Sequence, residues 1–258
     1  MLTPQQLAYF DTFGFLMLRQ AFSAEEMAAM TAAAEAVWQE HKPPLLHGER
    51  RQGYFVESHP SLSRLLTDER IYPAIAQLLG PDFVWAGSEG NISGRGEIGW
   101  HADRKYYKPE EAQWVDFVQI KVMMYLEAVT RDSGCLRVIP GSHKMPYHKH
   151  LGPQEIEPEA RPFGLAPEEI PCVYLESEPG DVILFNHMMW HSQFGGGDGR
   201  RYIALKFTAR PTSAHHLASL ELYNKTVFEP HETFLNHEDP RVRAMVEPLV
   251  RNADGGSG

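Results

Sequence analysis

The sequence predicts an α+β protein that is mainly β: an antiparallel sandwich or jelly roll whose outer face is covered by helices from the N-terminal part of the chain. Two observations indicate this fold class. Residues 1–82 contain two helix-capping patterns and an Ala-rich stretch, whereas residues 83–210 consist of short β-branched and aromatic runs separated by turns. Strands at such spacing, without helices between them, are typical of antiparallel architectures rather than parallel sheets.

Two helices near the N-terminus are predicted from their capping residues. Thr3 and Gln6 form a capping box, and the helix that they open is predicted to run to about residue 12. Residues 15–18 follow as a short strand. Ser23 and Glu26 form a second capping box, which opens a long helix that is predicted to end near residue 40.

The later elements are predicted from turn residues and apolar runs. Residues 43–53 are predicted to form a loop, and residues 62–79 two helical pieces around Pro73. The apolar runs that follow are predicted strands, at residues 83–87, 115–126, 136–139, 172–175, 181–185 and 202–208.

No repeat or linker divides the chain, so residues 1–253 are predicted to form a single domain. Within it, residues 1–82 are expected to be a mostly helical cover, residues 83–210 the jelly-roll core and residues 211–253 a C-terminal extension. Residues 254–258 (DGGSG) are expected to be a flexible tail.

Size, composition and charge limit the kinds of molecule that the protein is expected to bind. A chain of 258 residues can bury a sizeable core, and 43% hydrophobic with 22% charged residues is ordinary for a soluble protein. A net charge of −10 without a basic block argues against nucleic acid or an anionic membrane as the main partner. Without a signal-like start or a long apolar run, we expect a cytoplasmic monomer or homodimer whose two cysteines, Cys135 and Cys172, are reduced.

His101 and Asp103 are the first candidate functional residues. Side chains two residues apart on an extended segment point the same way, so both can reach one metal ion. The chain has 13 histidines, and roughly 0.5 His-x-Asp pairs are expected by chance. The motif alone therefore leaves a solvated turn as an equally good interpretation.

His191 is a candidate third ligand because of its place after a predicted buried strand. The turn at residues 178–181 (EPGD) leads into that strand, and His191 follows it 88 residues after Asp103. It can return to the end of the barrel where His101 lies. Two histidines and one carboxylate are the ligand set of Fe(II) oxygenases, which leave positions open for a co-substrate and O2. The sulfur ligands of many closed zinc sites are missing here.

Arg200 and Arg201 begin the strand that follows His191. An arginine beside a metal can offer two parallel N–H groups to the far carboxylate of a dicarboxylate co-substrate. Two arginines after a Gly-rich loop are otherwise ordinary solvated residues. Their position after His191 favours the functional interpretation.

Polar residues around these motifs are further candidates. Gln119 and Lys121 share one face of the strand at residues 115–126, where they would touch co-substrate or substrate, or else face solvent at a sheet edge. Asn91 and Arg95 would line the pocket or belong to a surface hairpin. Lid residues that favour a polar or anionic substrate are predicted directly after Asp103, at Arg104, Lys105, Tyr106 and Tyr107.

The remaining histidines are not expected to bind metal. His143 is interpreted as part of a structural turn, and His148 as one of several surface histidines. Four methionines are interpreted as core residues: Met123, Met124, Met188 and Met189.

Four segments, in this order, resemble the phytanoyl-CoA dioxygenase superfamily. They are WHADR (100–104), SGCLRVIPGSHK (133–144), EPGDVILFNHMMWHS (178–192) and GRRYIALKF (199–207). The resemblance implies a double-stranded β-helix that carries an Fe(II)- and 2-oxoglutarate-dependent oxygenase. It covers about residues 83–210 and, more loosely, the N-terminal helices.

The resemblance also implies roles for the metal-site residues. His101, Asp103 and His191 match the three metal ligands of the family. His191 is preferred to His187 because the family's last histidine follows the Gly-Asp turn by ten residues.

The co-substrate residues are likewise implied by the resemblance. Arg200 matches the arginine that holds 2-oxoglutarate, with Arg201 as the alternative if the register is shifted by one. Gln193 stands where members often carry Ser or Thr to help hold the co-substrate carboxylate, so it would substitute for that contact or the contact is lost.

The reaction implied by the resemblance is hydroxylation of an unactivated C–H bond of a small polar or anionic molecule, with O2 consumed and succinate and CO2 released. Halogenases of this superfamily carry a small residue at the position of Asp103, so its carboxylate favours hydroxylation, desaturation or cyclisation. Three alternatives stay open: a cupin-like metalloenzyme that does not use 2-oxoglutarate, a non-catalytic jelly-roll binding protein, and an acyl-CoA hydroxylase, for which the sequence marks no CoA site.

Overall fold

Two antiparallel sheets form the centre of the protein, which is described here from a computed structural model. The structure describes residues 1–46, 49–94, 98–103, 117–151, 164–196, 198–223, 225–247 and 249. The strands are β1 Phe15–Leu18, β2 Leu45–Leu46, β3 Glu49–Gly53, β4 Val84–Ser93, β5 Ile98–His101, β6 Gln119–Tyr125, β7 Leu136–Val138, β8 Val173–Leu175, β9 Val182–Asn186, β10 His191–Gln193 and β11 Arg201–Thr208. One sheet has seven strands in the order β1-β9-β6-β11-β4-β3-β2, and the other four in the order β5-β10-β7-β8.

Helices precede and follow these strands. They are α1 Pro4–Phe13, α2 Ala24–His41, α3 Pro60–Ser63, α4 Tyr72–Leu79, α5 Tyr147–His150, α6 Ala214–Tyr223, α7 Glu232–Leu235 and α8 Pro240–Met245. Both predicted capping boxes are present, since Thr3 and Ser23 each accept from the backbone N–H three residues on, while Gln6 and Glu26 bond back to the cap. No helix in the described part of the chain is both long and apolar enough to cross a lipid bilayer.

Both faces of the central strands of the large sheet are buried. On the outer face, Ile120, Val122 and Met124 of β6 pack in one core with helix α2. On the inner face, Met123 and Tyr125 pack against the small sheet. Strands buried on both sides have near-continuous apolar sequences. In β6, alternate residues belong to the outer and the inner core.

The expected α+β, mainly β class is confirmed, with helices on the outer face of the large sheet. The C-terminal helices also contribute to that outer core through Phe234, Val242 and Met245. Both cysteines are free, as expected. Residues 254–258 lie outside the described residues.

Two sequence-based predictions are wrong. Residues 43–53 are not a loop, because β2 and β3 form a hairpin whose second strand pairs with β4. The strand predicted at residues 83–87 extends to Ser93, so Asn91 is a buried strand residue and not part of a surface hairpin. In both cases the strands carry charged and glycine residues, and long-range pairing overrides their weak β-propensity.

The turn before β9 is fixed by Gly180 and Asp181. Gly180 has a φ of +105°, and a Cβ on it would lie 2.4 Å from the carbonyl oxygen of Phe22, so only glycine fits. The buried Asp181 carboxylate accepts from Arg19 Nη1 at 2.8 Å and from the backbone N–H groups of Gln20 and Glu178 at 2.8 and 3.1 Å. These hydrogen bonds fix the start of β9, and the chain continues from β9 to His191.

Candidate metal centre

Strand pairing brings His101 and His191 together. The two residues are direct cross-strand partners in the β5–β10 ladder, and their ring centroids lie 4.2 Å apart. Asp103 follows His101 by two residues, and one ligand atom from each of the three residues lies within 4.8 Å of the others. The structure therefore juxtaposes the three side chains that the sequence nominates as metal ligands.

Both histidines are held by the same local hydrogen bond. Nδ1 of His101 lies 2.9 Å from the carbonyl oxygen of Gly99, and Nδ1 of His191 lies 2.9 Å from that of Met189. A carbonyl only accepts, so each Nδ1 carries a proton, and Nε2 is the nitrogen that can bind a metal ion. Such outer hydrogen bonds are the usual means of orienting a metal-binding imidazole.

The protonation states of Asp103 and His191 also suit a metal. Burial would raise the pKa of the Asp103 carboxyl, but Lys121 and the neighbouring histidines hold it well below its usual range. Burial, together with His101, lowers the pKa of His191 to about 3, so its imidazole is neutral at pH 7. A carboxylate and neutral imidazoles can bind a divalent ion without first losing protons.

His187 is a second histidine beside the carboxylate. Its Nε2 lies 4.0 Å from Asp103 Oδ2, whereas Nε2 of His191 lies 4.0 Å from Oδ1. Among the described residues, the group with mutually close ligand atoms consists of His101, Asp103 and His191.

Lys121 joins the centre to a buried charge network. Its Nζ lies 3.2 Å from Asp103 Oδ2 and 3.1 Å from Glu89 Oε1, while Lys206 Nζ lies 2.9 Å from Glu89 Oε2. Burial would raise the pKa of Glu89, but Lys121, Lys206 and Arg51 hold it below its ordinary value. Neither Lys121 nor Gln119 faces solvent, since both are buried; the sheet-edge alternative is wrong because β6 lies between β9 and β11.

A cavity of about 330 Å³ opens over the three candidate ligands. Its lining also includes Glu49, Arg51, Ile98, Gly99, Lys121, Met123, Leu136, Phe185, Gln193 and Tyr202. Gln119 is buried at the start of β6 and is not among these lining residues; its carbonyl accepts from the backbone N–H of His187 at 3.0 Å. The lining is mostly polar and charged, with apolar surface from Ile98, Met123, Leu136 and Phe185.

Arg200 and Arg201 are adjacent in sequence, but their side chains point in different directions and have different partners. Arg200 is buried and donates from Nη1 to the Gly134 carbonyl at 2.7 Å, and from Nη2 to Ser93 Oγ at 3.0 Å and to Gln193 Oε1. Arg201 is directed away from the cavity and pairs with Glu35 and Glu127 at 2.6 and 3.2 Å. Gln193 borders the cavity, so it connects the cavity to Arg200.

Other predicted positions differ in outcome. Asn91 is fully buried on β4, between Arg51 of β3 and Tyr202 of β11 in the strand register, and both of those partners line the cavity. The remaining predicted substrate residues lie outside the described residues: Arg95, Arg104, Lys105, Tyr106 and Tyr107.

His148 is not a surface residue. It is buried, and its Nδ1 lies 2.9 Å from the Met188 carbonyl, while Trp190 Nε1 donates to the His148 carbonyl. The sequence gives no sign of this contact because the partners are about 40 residues away. His143 is buried as well and lies at the turn, where its Nε2 is 3.2 Å from the Asp11 carbonyl. All four methionines predicted in the core are buried.

Sequence reasoning missed Glu49, Arg51 and Glu89. Glu49 and Arg51 have opposite charges and are two residues apart, and residues two apart on a strand share a face. This spacing is the signal that could have identified them. For Glu89 no local signal exists, since its partners come from three other strands.

Comparisons with known proteins point to one family. The sequence profile described as Phytanoyl-CoA dioxygenase (PhyH) matches residues 10–200. Dioxygenase lolE1 of Epichloe uncinata is 27% identical over 154 residues, 53% of this chain and 49% of that protein. An ectoine dioxygenase of Bordetella bronchiseptica is 27% identical over 158 residues, 55% of this chain and 50% of that protein. The chain thus spans about half the length of these curated relatives.

Similarity to solved structures covers more of the chain. HygX from Streptomyces hygroscopicus, with nickel and 2-oxoglutarate bound, superimposes with a TM-score of 0.67 at 18% identity, over 81% of this chain and 88% of that one. At this identity the likeness establishes a shared fold. The jelly-roll class predicted from the sequence is therefore confirmed.

Proposed function

This chain belongs to the phytanoyl-CoA dioxygenase family, and we propose that it is an Fe(II)- and 2-oxoglutarate-dependent dioxygenase. It hydroxylates an unactivated C–H bond of a small polar or anionic molecule and releases succinate and CO2. The observation that carries the proposal is the cluster of two imidazoles and one carboxylate in the lining of a cavity. The relatives named as dioxygenases support it.

His101, Asp103 and His191 would hold the iron. The donor set fits, because two nitrogen lone pairs and one ionised carboxylate converge within 4.8 Å and no thiolate is among them. When bound, the iron supplies activation of O2 coupled to oxidative decarboxylation of 2-oxoglutarate. The backbone carbonyls of Gly99 and Met189 keep the proton of each imidazole on Nδ1, away from the metal.

Arg200 would anchor the far carboxylate of 2-oxoglutarate. It is buried, whereas Arg201 is occupied by two acidic partners on the outside. In the present arrangement Gln193 accepts from the Arg200 guanidinium. The Gln193 amide therefore has to turn, either to share the arginine with the co-substrate or to donate its own N–H to the carboxylate.

The walls of the cavity would keep water from the reacting carbon. Met123, Leu136 and Phe185 provide apolar surface next to the candidate ligands. Dry surroundings strengthen the electrostatic hold on an anionic co-substrate and limit side reactions.

Reaction stoichiometry tests this function. The protein with Fe(II), 2-oxoglutarate and a panel of small metabolites should form one succinate for each O2 consumed once a substrate is present. Asp103→Ala should abolish succinate formation, whereas Asp132→Ala, at a side chain that is 91% exposed, should leave it unchanged. Oxygen consumption without succinate would instead indicate a cupin-like enzyme that does not use 2-oxoglutarate.

A further inference from the structure

Two charged residues of strand β3, Glu49 and Arg51, border the cavity. Glu49 and Arg51 are two residues apart on the strand and therefore share a face. Arg51 Nη2 lies 2.6 Å from Glu49 Oε1, and the Arg51 side chain is 55% exposed while that of Glu49 is 17% exposed. Both side chains line the cavity, so an incoming ligand can reach this pair.

Polar atoms without partners lie beside this pair. Glu49 Oε2 is buried and has no hydrogen-bond partner in the described part of the chain. Asn91, which faces Arg51 across the strand register, is fully buried, and neither its Oδ1 nor its Nδ2 has a partner among the described residues. Buried polar groups in folded proteins are nearly always paired, so these atoms indicate that a polar ligand belongs here.

The other charges beside the cavity are already matched. Lys121 lies between Asp103 and Glu89, and Lys206 neutralises the second oxygen of Glu89. Arg51 Nε lies 3.8 Å from Glu89 Oε2 as well, whereas Glu49 has Arg51 as its partner among the described residues. An anion that takes Arg51 from Glu49 would leave the Glu49 carboxylate without a counter-ion, so a ligand that separates the pair has to bring a cationic group as well as an anionic one.

We propose that Glu49 and Arg51 select the substrate, and that the substrate is a small zwitterion. Its protonated amine or amidinium donates to Glu49, its carboxylate or phosphonate accepts from Arg51, and the Asn91 amide contributes hydrogen bonds at the same end. The molecule is small because a cavity of about 330 Å³ has to hold the co-substrate as well. This inference rests on the proposed function.

A panel of zwitterions and their singly charged derivatives tests the substrate class. Amino acids, β-alanine, 4-aminobutyrate and aminoalkylphosphonates are each assayed beside the N-acetyl derivative and, for the carboxylates, the carboxamide. At least one zwitterion should raise the rate of 2-oxoglutarate consumption tenfold or more above the uncoupled rate, while its singly charged derivatives should not. Equal stimulation by a singly charged derivative, or no stimulation by any zwitterion, overturns the inference.

Variants of the pair test the assignment of residues. Glu49→Gln and Arg51→Gln should each raise the KM for the stimulating zwitterion at least tenfold. Arg50→Gln is the matched control, because Arg50 lies on the other face of β3 and donates to the Pro43 carbonyl at 2.9 Å. An unchanged KM in both cavity variants overturns the assignment.

Direct binding separates this inference from the proposed function. Ligand-observed NMR on the metal-free protein should detect the panel zwitterions with wild type and Arg50→Gln, and not with Glu49→Gln or Arg51→Gln. Binding that is indifferent to both substitutions contradicts the inference. Absence of an Fe(II)–2-oxoglutarate complex, with zwitterion binding intact, would contradict the proposed function alone.

Discussion

Lys121 lies between the carboxylates of Asp103 and Glu89, where its ammonium would compete with a metal ion for Asp103. Its ammonium is 3.2 Å from Asp103, a candidate ligand, and 3.1 Å from Glu89. Burial would lower the pKa of Lys121, but Asp103 and Glu89 raise it above its ordinary value, so the side chain stays charged. A metal ion bound to Asp103 would lie near this ammonium, and the two positive charges would repel each other.

Replacement of Lys121 should therefore make metal binding more stabilising. Lys121→Met breaks a buried ion pair and should destabilise the metal-free protein by about 3–5 kcal/mol. The rise in Tm on adding Mn(II) should be larger in the variant than in wild type, because the metal ion is no longer repelled by the ammonium. Lys206→Met is the control, since Lys206 pairs with Glu89 from the other side. Equal Mn(II)-induced rises in wild type and Lys121→Met would contradict the competition.

Arg200 and Arg201 are adjacent in sequence and opposite in environment. Arg200→Lys keeps the charge but loses the planar fork, so the Kd for 2-oxoglutarate should rise about 100-fold, equivalent to roughly 2.7 kcal/mol. Arg201→Lys should change it less than threefold, because Arg201 contacts Glu35 and Glu127 outside the cavity. Anaerobic titration with 2-oxoglutarate measures both. A larger effect at Arg201 would reverse the assignment.

The residues of the site were predictable to the extent that local spacing determines them. His101 and Asp103 follow from a two-residue spacing on a strand, and His191 from its distance to the Gly180-Asp181 turn. Glu89 was not predictable, because its partners lie on β3, β6 and β11. Arg200 is intermediate: the sequence nominates it, but its place depends on Gly134 and Gly196, where an added Cβ would lie 2.1 and 2.5 Å from its guanidinium.

At the scale of elements, the turn before β9 is held in place by the Asp181 carboxylate. Asp181 is tied to the end of β1 through Arg19 and Gln20. Burial would raise the pKa of Asp181, but the Gln20 N–H, Arg19 and the Glu178 N–H lower it below its ordinary value. The folded protein is therefore stabilised by the ionised form.

Asp181→Asn should destabilise the protein by about 2 kcal/mol near pH 7. Because the folded-state pKa is depressed, this contribution is fully present above the unfolded pKa of about 3.9 and is lost as the pH falls through the folded value. Urea unfolding at several pH values should show the gap between wild type and variant shrinking below about pH 4. Asp132→Asn, at an exposed position, is the control. A gap that is constant down to pH 2.5 would show that the carboxylate charge does not matter.

The elements themselves were predictable where composition and pairing agree. Helices α1 and α2 and strands β6, β9 and β11 have strong caps or strong apolar alternation, and they appear within a few residues of their predicted bounds. The β2–β3 hairpin was missed because its strands are polar and lie at the sheet edge, where only one neighbour supports them. That hairpin carries Glu49 and Arg51. Because its strands were not predicted, these two cavity residues were not predicted either.

At the scale of the molecule, the outer and the inner core have different roles. The helices cover the outer face of the large sheet and bury a continuous core that includes Trp38, Leu66 and Leu184. The inner face and the small sheet enclose the cavity, with Phe185 and Leu136 in the second core and on the cavity wall. The rigid outer core holds strands β4, β6 and β11 in register, and these strands present Glu89, Lys121 and Tyr202 to the site.

Anaerobic titration of the protein with Fe(II) and then 2-oxoglutarate tests the central claim most directly. The three candidate ligands should yield one iron per chain, and 2-oxoglutarate should then produce a weak visible charge-transfer band that saturates at one equivalent. His191→Ala should lose the band, and His150→Ala, at an exposed histidine outside the site, should keep it. A wild-type protein that binds no iron, or an unchanged band in His191→Ala, would contradict the assignment of His101, Asp103 and His191 as the metal centre.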